Sequence, residues 1–215
     1  MSAHCHHHHT PARFDGASPS YRRILWIVIA LNALMFAVEA AAGALAGSMA
    51  LQADAMDFAA DAATYGLTLY MIGKPDRWRA GAALIKGASL ALMGCYVLGA
   101  TLWRVFVTGV PEPIVMGAVG LAALAVNVTA ALLLFRFRDG DANVRSVWLC
   151  SRNDAIGNLA VMLAALGVFG TGTAWPDLAV AAIMAGLFLY SSASILRQSL
   201  GEIRVSRRRL GVPAE

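Results

Sequence analysis

Six long apolar stretches separated by short polar connections dominate the chain, at roughly 24–46, 49–72, 80–107, 113–135, 147–171 and 176–196. Each has about the 20 residues that a helix needs to cross a hydrocarbon layer. None shows the strict alternation of a barrel strand, and backbone in lipid can satisfy its hydrogen bonds only as a helix or a closed barrel. The pattern therefore predicts an all-α, polytopic membrane protein with six transmembrane helices. Pro75, Pro111, Pro113 and Pro176 fall between runs or at their starts, where a missing N–H costs least. The connections are short, so consecutive helices are expected to pack as antiparallel neighbours. Three regions follow: a polar leader over 1–21, in which Pro11 and Pro19 disfavour regular structure, a membrane domain over 22–200, and a short basic tail over 201–215.

The cations orient this bundle. Arg13, Arg22 and Arg23 precede the first run, Lys74, Arg77 and Arg79 separate the second from the third, and Arg136, Arg138 and Arg145 separate the fourth from the fifth. Arg197, Arg204 and Arg207 to Arg209 follow the sixth, whereas the alternate connections at 46–48, 108–113 and 170–175 hold no cation. Positive charge collects on the cytoplasmic side, which puts both termini in the cytoplasm and makes the number of spans even. The first run is too long for a secretory signal and has no cleavage site, so it reads as the first span.

Composition agrees: 59% of residues are hydrophobic, 14% are charged and the mean hydropathy is +0.63, which excludes an ordinary soluble domain. The net charge of +4 is then explained by cations flanking the spans, with no nucleic-acid partner. Cys5, Cys95 and Cys150 form no disulfide framework, and Cys95, alone in an apolar run, is assigned to packing. Lys86, within the third run, and Arg104, near its far end, are expected to snorkel to an interface.

Acids within the spans change the picture, because a charge in lipid is costly and marks a functional site by default. The second run reads Leu51-Gln-Ala-Asp54-Ala-Met-Asp57-Phe-Ala-Ala-Asp61. At 3.6 residues per turn Asp57 and Asp61 lie one above the other, with Asp54 on nearly the same side. The fifth run offers Cys150 and Asp154 at the same four-residue spacing, followed by Asn158. Two such faces pressed together would present three carboxylates and a thiolate, a set that zinc accepts. Ala53, Ala55, Ala59, Ala60, Ala155 and Gly157 would permit the close approach. The structural alternatives are a buried arginine pairing with Asp57 and Asp61, and Arg152 pairing with Asp154. Asp54 is assigned either to support of the ligands or to the bundle interior. Asn32 and Glu39 share one face of the first run, and Gly43 and Gly47 form a Gly-xxx-Gly packing pair. In the leader, His4, Cys5, His6, His7, His8 and His9 could collect metal ions at the cytoplasmic mouth; an affinity tag is the bland reading, against which the internal Cys5 argues.

These residues resemble the cation diffusion facilitators, or cation efflux proteins. The similarity lies in Leu31-Asn32, Glu39, Gly43, Gly47-Ser48 and Leu51 through Asp61, and again in Asn143-Val-Arg145 and Asp154-Ala-Ile-Gly157-Asn158. It is specific in the first, second and fifth runs and only hydropathic in the other three. The resemblance implies a six-helix, usually homodimeric antiporter in the plasma membrane, the inner membrane of a bacterium, that exchanges a cytoplasmic divalent cation for protons. It also implies a metal site at Asp57, Asp61, Cys150 and Asp154. Many zinc-selective members carry His at the first position of each pair, where this chain has Asp57 and Cys150. The chain reads as a short member, without the cytoplasmic domain that often follows the sixth helix.

Competition of metal and protons for one carboxylate cluster is the mechanism these residues suggest. Zn²⁺ leads as substrate and Cd²⁺ follows if Cys150 ligates, with Co²⁺, Ni²⁺, Fe²⁺ and Mn²⁺ open; no resident cofactor is expected. The rival classes are a membrane-embedded metal-dependent hydrolase, a metal-gated channel and a purely structural bundle. The hydrolase is disfavoured by the absence of a histidine within the spans and of a serine nucleophile motif. Haem is disfavoured because all five histidines lie in the leader.

Overall fold

A computed structural model describes residues 18–72, 76–107, 109–139 and 142–209. Six helices follow in order: α1 (Pro19–Ala46), α2 (Met49–Met71), α3 (Asp76–Phe106), α4 (Pro113–Leu134), α5 (Ala142–Thr171) and α6 (Trp175–Arg209), with one 3₁₀ turn at Phe135–Phe137. Among the described residues there is no strand. Five of the helices are long and apolar enough to cross a membrane. The sixth, α2, has the length, about 34 Å at 1.5 Å per residue, but carries Asp54, Asp57 and Asp61. The molecule is a multi-pass integral membrane protein.

Its surface exposes large apolar side chains, and its interior holds polar and acidic groups beside an apolar core. Leu45 and Phe106 are 89% and 84% exposed, whereas Glu39, Ser151, Asn158 and Asp177 are fully buried. Only a lipid environment rewards that distribution. Cys95 lies on the exposed outer face of α3 and is not a packing residue.

Helix boundaries depart from the apolar runs where polar flanks continue the backbone ladder. Pro19, expected to disfavour structure, opens α1: its missing N–H falls where no intrahelical bond is made, and Ser18 Oγ accepts the Tyr21 N–H at 3.2 Å. At the other extreme α6 has 35 residues, about 52 Å, well beyond a core of roughly 30 Å. The stretch 201–209, expected as a tail, continues this helix.

Consecutive helices are not uniformly neighbours. The pairs α1–α2 and α4–α5 pack as expected, but α3 packs chiefly on α6, and α1 and α4 close the bundle on the side away from that pair. Gly87 and Gly94 explain the α3–α6 approach, since a Cβ at either would come within 2.9 Å of Leu196 or Leu189. The two glycines at the end of α1 divide their roles. Gly43 packs against α2, where a Cβ would sit 3.0 Å from Gln52 Cγ, while Gly47 is the left-handed cap of α1 with φ of 67°. Gly157 meets nothing within 4 Å and permits no close approach.

The arginine-poor end of the bundle is tied by polar contacts. The first N–H groups of a helix have no intrahelical partner. In α2 those of Met49 and Ala50 donate to the Asp177 carboxylate of α6 at 2.8 and 3.0 Å, and that of Leu51 donates to Ser48 Oγ at 3.0 Å. Ser48 Oγ in turn donates to Asp177 at 2.6 Å. Arg104 does not simply snorkel: its Nη2 donates to the Gly47 carbonyl at 2.9 Å, left unpaired where α1 stops. The Glu112 N–H donates to the Ala46 carbonyl at 3.0 Å.

Candidate metal centre

The middle of the bundle is where α2 and α5 meet, with α6 packed on both, α1 and α3 packed on α2, and α4 packed on α5. Asp57 and Asp61 project from one face of α2, and Asp154 comes from α5 close enough to both for a proton to bridge either pair. Asp61 is buried; Asp57 and Asp154 are half-buried. Carboxylates so near one another repel unless a proton or cation lies between them. Cys150, half-buried, lies within electrostatic range of Asp57 and Asp61. Among the described residues no three acidic, cysteine or histidine side chains form a ready metal cage.

The structural alternatives for these aspartates are not met among the described residues. The ion pair found there joins Arg138 and Asp139 on the surface, away from all three. Arg152 turns outward, donating to Asn153 Oδ1 at 3.1 Å and stacking over Trp148 at 5.3 Å, and leaves Asp154 alone. Lys86, half-buried on α3, makes no ion pair there but lies within electrostatic range of Asp57, Asp61 and Cys150.

An acidic pair adjoins these three aspartates. Glu39 of α1 and Asp54 of α2 are buried side by side, and neither oxygen of Glu39 has a hydrogen-bond partner. Asn158, one turn beyond Asp154, is also buried with both polar atoms unpartnered. Asn32 is buried and spends its amide on the Val28 carbonyl at 2.9 Å, a contact within its own helix. The donors of the expected capture site in the leader, His4, Cys5, His6, His7, His8 and His9, lie outside the described residues.

Two residues of this region escaped the reading of the sequence. Tyr65, one turn from Asp61 on α2, is fully buried and donates its hydroxyl to Asp61 Oδ2; Ser151 Oγ of α5 lies 3.3 Å from the same hydroxyl. The four-residue step from Asp61 to Tyr65 repeats the spacing of the acids and is the signal that could have found it.

A family model described as the cation efflux transmembrane domain matches residues 25–203. The curated relatives include the Zinc transporter ZitB of Yersinia pestis, 28% identical over a 196-residue comparison that covers 83% of this chain and 62% of that protein. The Cadmium, cobalt and zinc/H(+)-K(+) antiporter of Bacillus velezensis is 26% identical over 200 residues, 86% of this chain and 63% of the relative. The Metal cation efflux system protein CzcD of Cupriavidus metallidurans is 25% identical over 189 residues, 82% and 60% of the two chains. The chain thus spans a little under two thirds of the length of these relatives.

Proposed function

Since this chain belongs to the cation efflux family, we propose that it carries divalent transition-metal ions out of the cytoplasm in exchange for protons. The observation that carries this reading is the meeting of Asp57 and Asp61 with Asp154 inside a bundle whose outer face is apolar. Acids at that proximity need an occupant with positive charge, and a metal ion or protons can each fill that role. The exchange follows from their competition: the deprotonated cluster takes the ion from the cytoplasm, and protons from a more acidic exterior displace it.

The arginine-rich end is taken as cytoplasmic, on the bias of basic residues toward that side. Zn²⁺ is the first substrate and Cd²⁺ the second, the latter through the soft thiolate of Cys150. The names of the relatives, which include zinc, cadmium and cobalt, support a substrate of this class. Binding would draw Asp57, Asp61 and Asp154 together around the ion, and two arrangements of the helices would expose it to each side in turn.

Proteoliposomes holding a pH-sensitive dye test the proposal across Zn²⁺, Cd²⁺, Co²⁺ and Mn²⁺. Proton movement should require both metal and Asp57 and vanish in Asp57→Ala. The half-saturating metal concentration should rise as the pH on the loading side falls, because protons compete for the ligands. Metal flux without proton movement would replace the antiporter by a channel, and no flux from well-folded protein would end the transport reading.

A further inference from the structure

The Tyr65 hydroxyl occupies a place that packing alone does not account for. The Tyr65 ring belongs to the apolar cluster formed by Leu25 and Val28 of α1, Ala130 and Leu134 of α4, and Val147 of α5. Phenylalanine would fill that space equally well, and burying a hydroxyl among apolar side chains is unfavourable unless it is hydrogen-bonded. The bond it makes is to Asp61, which stands about 6 Å further along α2 toward the arginine-poor end. Ser151, fully buried on the opposite helix, completes a chain in which Ser151 can donate to Tyr65 while Tyr65 donates to Asp61. The contact therefore spans the α2–α5 junction at which the candidate metal ligands meet.

A carboxylate has two oxygens, and an anchored donor on one of them determines where the other points. We propose that Tyr65 is a positioning residue for the metal centre, its hydroxyl holding Asp61 Oδ2 with the support of Ser151 so that Oδ1 is turned to the ion. Tyr65 keeps its proton and does not touch the metal. It acts through Asp61, restraining a side chain that would otherwise rotate away from Asp57 and Asp154. The inference rests on the metal-transport reading and extends it to a residue outside the ligand set. Groups that orient metal ligands in this way typically contribute about 10–100-fold to metal affinity.

Titrating purified full-length protein in detergent with Zn²⁺ and, separately, Cd²⁺, alongside metal flux in proteoliposomes, tests it. Tyr65→Phe keeps the ring and removes the hydroxyl, and should weaken binding of both ions by at least about tenfold. The half-saturating concentration for flux should rise in step, with the maximal rate within about twofold of wild type. Ser151→Ala should produce a smaller loss, and the double variant should bind no more weakly than Tyr65→Phe, because Ser151 acts through the tyrosine. A purely structural hydroxyl would lower the unfolding midpoint and leave metal affinity alone. Unchanged affinity in Tyr65→Phe, or fully additive losses in the double variant, would overturn the assignment while leaving metal transport standing. If wild type neither binds nor moves either ion, the transport reading falls and this inference falls with it.

Discussion

Replacing Asp177 with alanine removes the tie between α6 and the start of α2, and the cost can be worked from the contacts it makes. Its carboxylate accepts the Met49 and Ala50 N–H groups and the Ser48 hydroxyl, all at 3.0 Å or less, and it is fully buried. A hydroxyl can rotate to another acceptor, but the two backbone donors cannot, and each buried donor left unpaired costs about 1–3 kcal/mol. The carboxylate also faces the positive end of α2 and stands in the first turn of α6, interactions of about 0.3–1 kcal/mol apiece. A loss of about 4 kcal/mol is expected, with water drawn into the vacated space setting the lower end. For a chain of this size 1 kcal/mol corresponds to roughly 2–4 °C, so the unfolding midpoint should fall by roughly 8–16 °C. Tryptophan fluorescence during heating in detergent reads it directly. Asp177→Asn retains an acceptor oxygen without the charge and should lose about half as much. An Asp177→Ala midpoint within about 2 °C of wild type would show that the contact contributes nothing to holding the helices together.

Two further substitutions probe the interior. Cys150→Ser exchanges a soft donor for a hard one and should weaken Cd²⁺ relative to Zn²⁺ on the order of tenfold in competition binding, whereas an unchanged ratio would remove Cys150 from the ligand set. Glu39→Gln gives Asp54 an amide donor in place of a second acid and should raise the unfolding midpoint by roughly 2–4 °C, about 1 kcal/mol; a lower midpoint would mean that the carboxyl itself is required for stability.

The helices were legible from length and hydropathy because lipid imposes one requirement on every crossing segment. Their ends were less so, since hydropathy marks where a span leaves the membrane and the backbone ladder ends elsewhere: Pro19 starts a helix and residues 201–209 continue one. The meeting of Asp57, Asp61 and Asp154 could be anticipated because four-residue spacing fixes a common face within each helix. Partnerships between distant segments could not. Ser48 and Asp177 are 129 residues apart, and nothing in either run specifies the other. The pairing of α3 with α6 was hidden for the same reason, because apolar faces match many partners and only small residues such as Gly87 and Gly94 select among them.

The three aspartates of α2 also bear on how the chain reaches the bilayer. An aspartate at the centre of an inserting helix costs about 2.5–3.5 kcal/mol, while each leucine or phenylalanine returns only about 0.3–0.6. Asp57 and Asp61 lie in the middle of α2 and Asp54 nearer its start, so α2 alone is expected to favour the lipid phase far less than the other five helices do. Next to it stands α1, among the most apolar helices of the molecule, joined through Gly47 and Ser48 and packed along its length. The expected route into the bilayer is therefore α1 and α2 together as one helical hairpin, with α1, and later α5, sheltering the carboxyls of α2 from lipid.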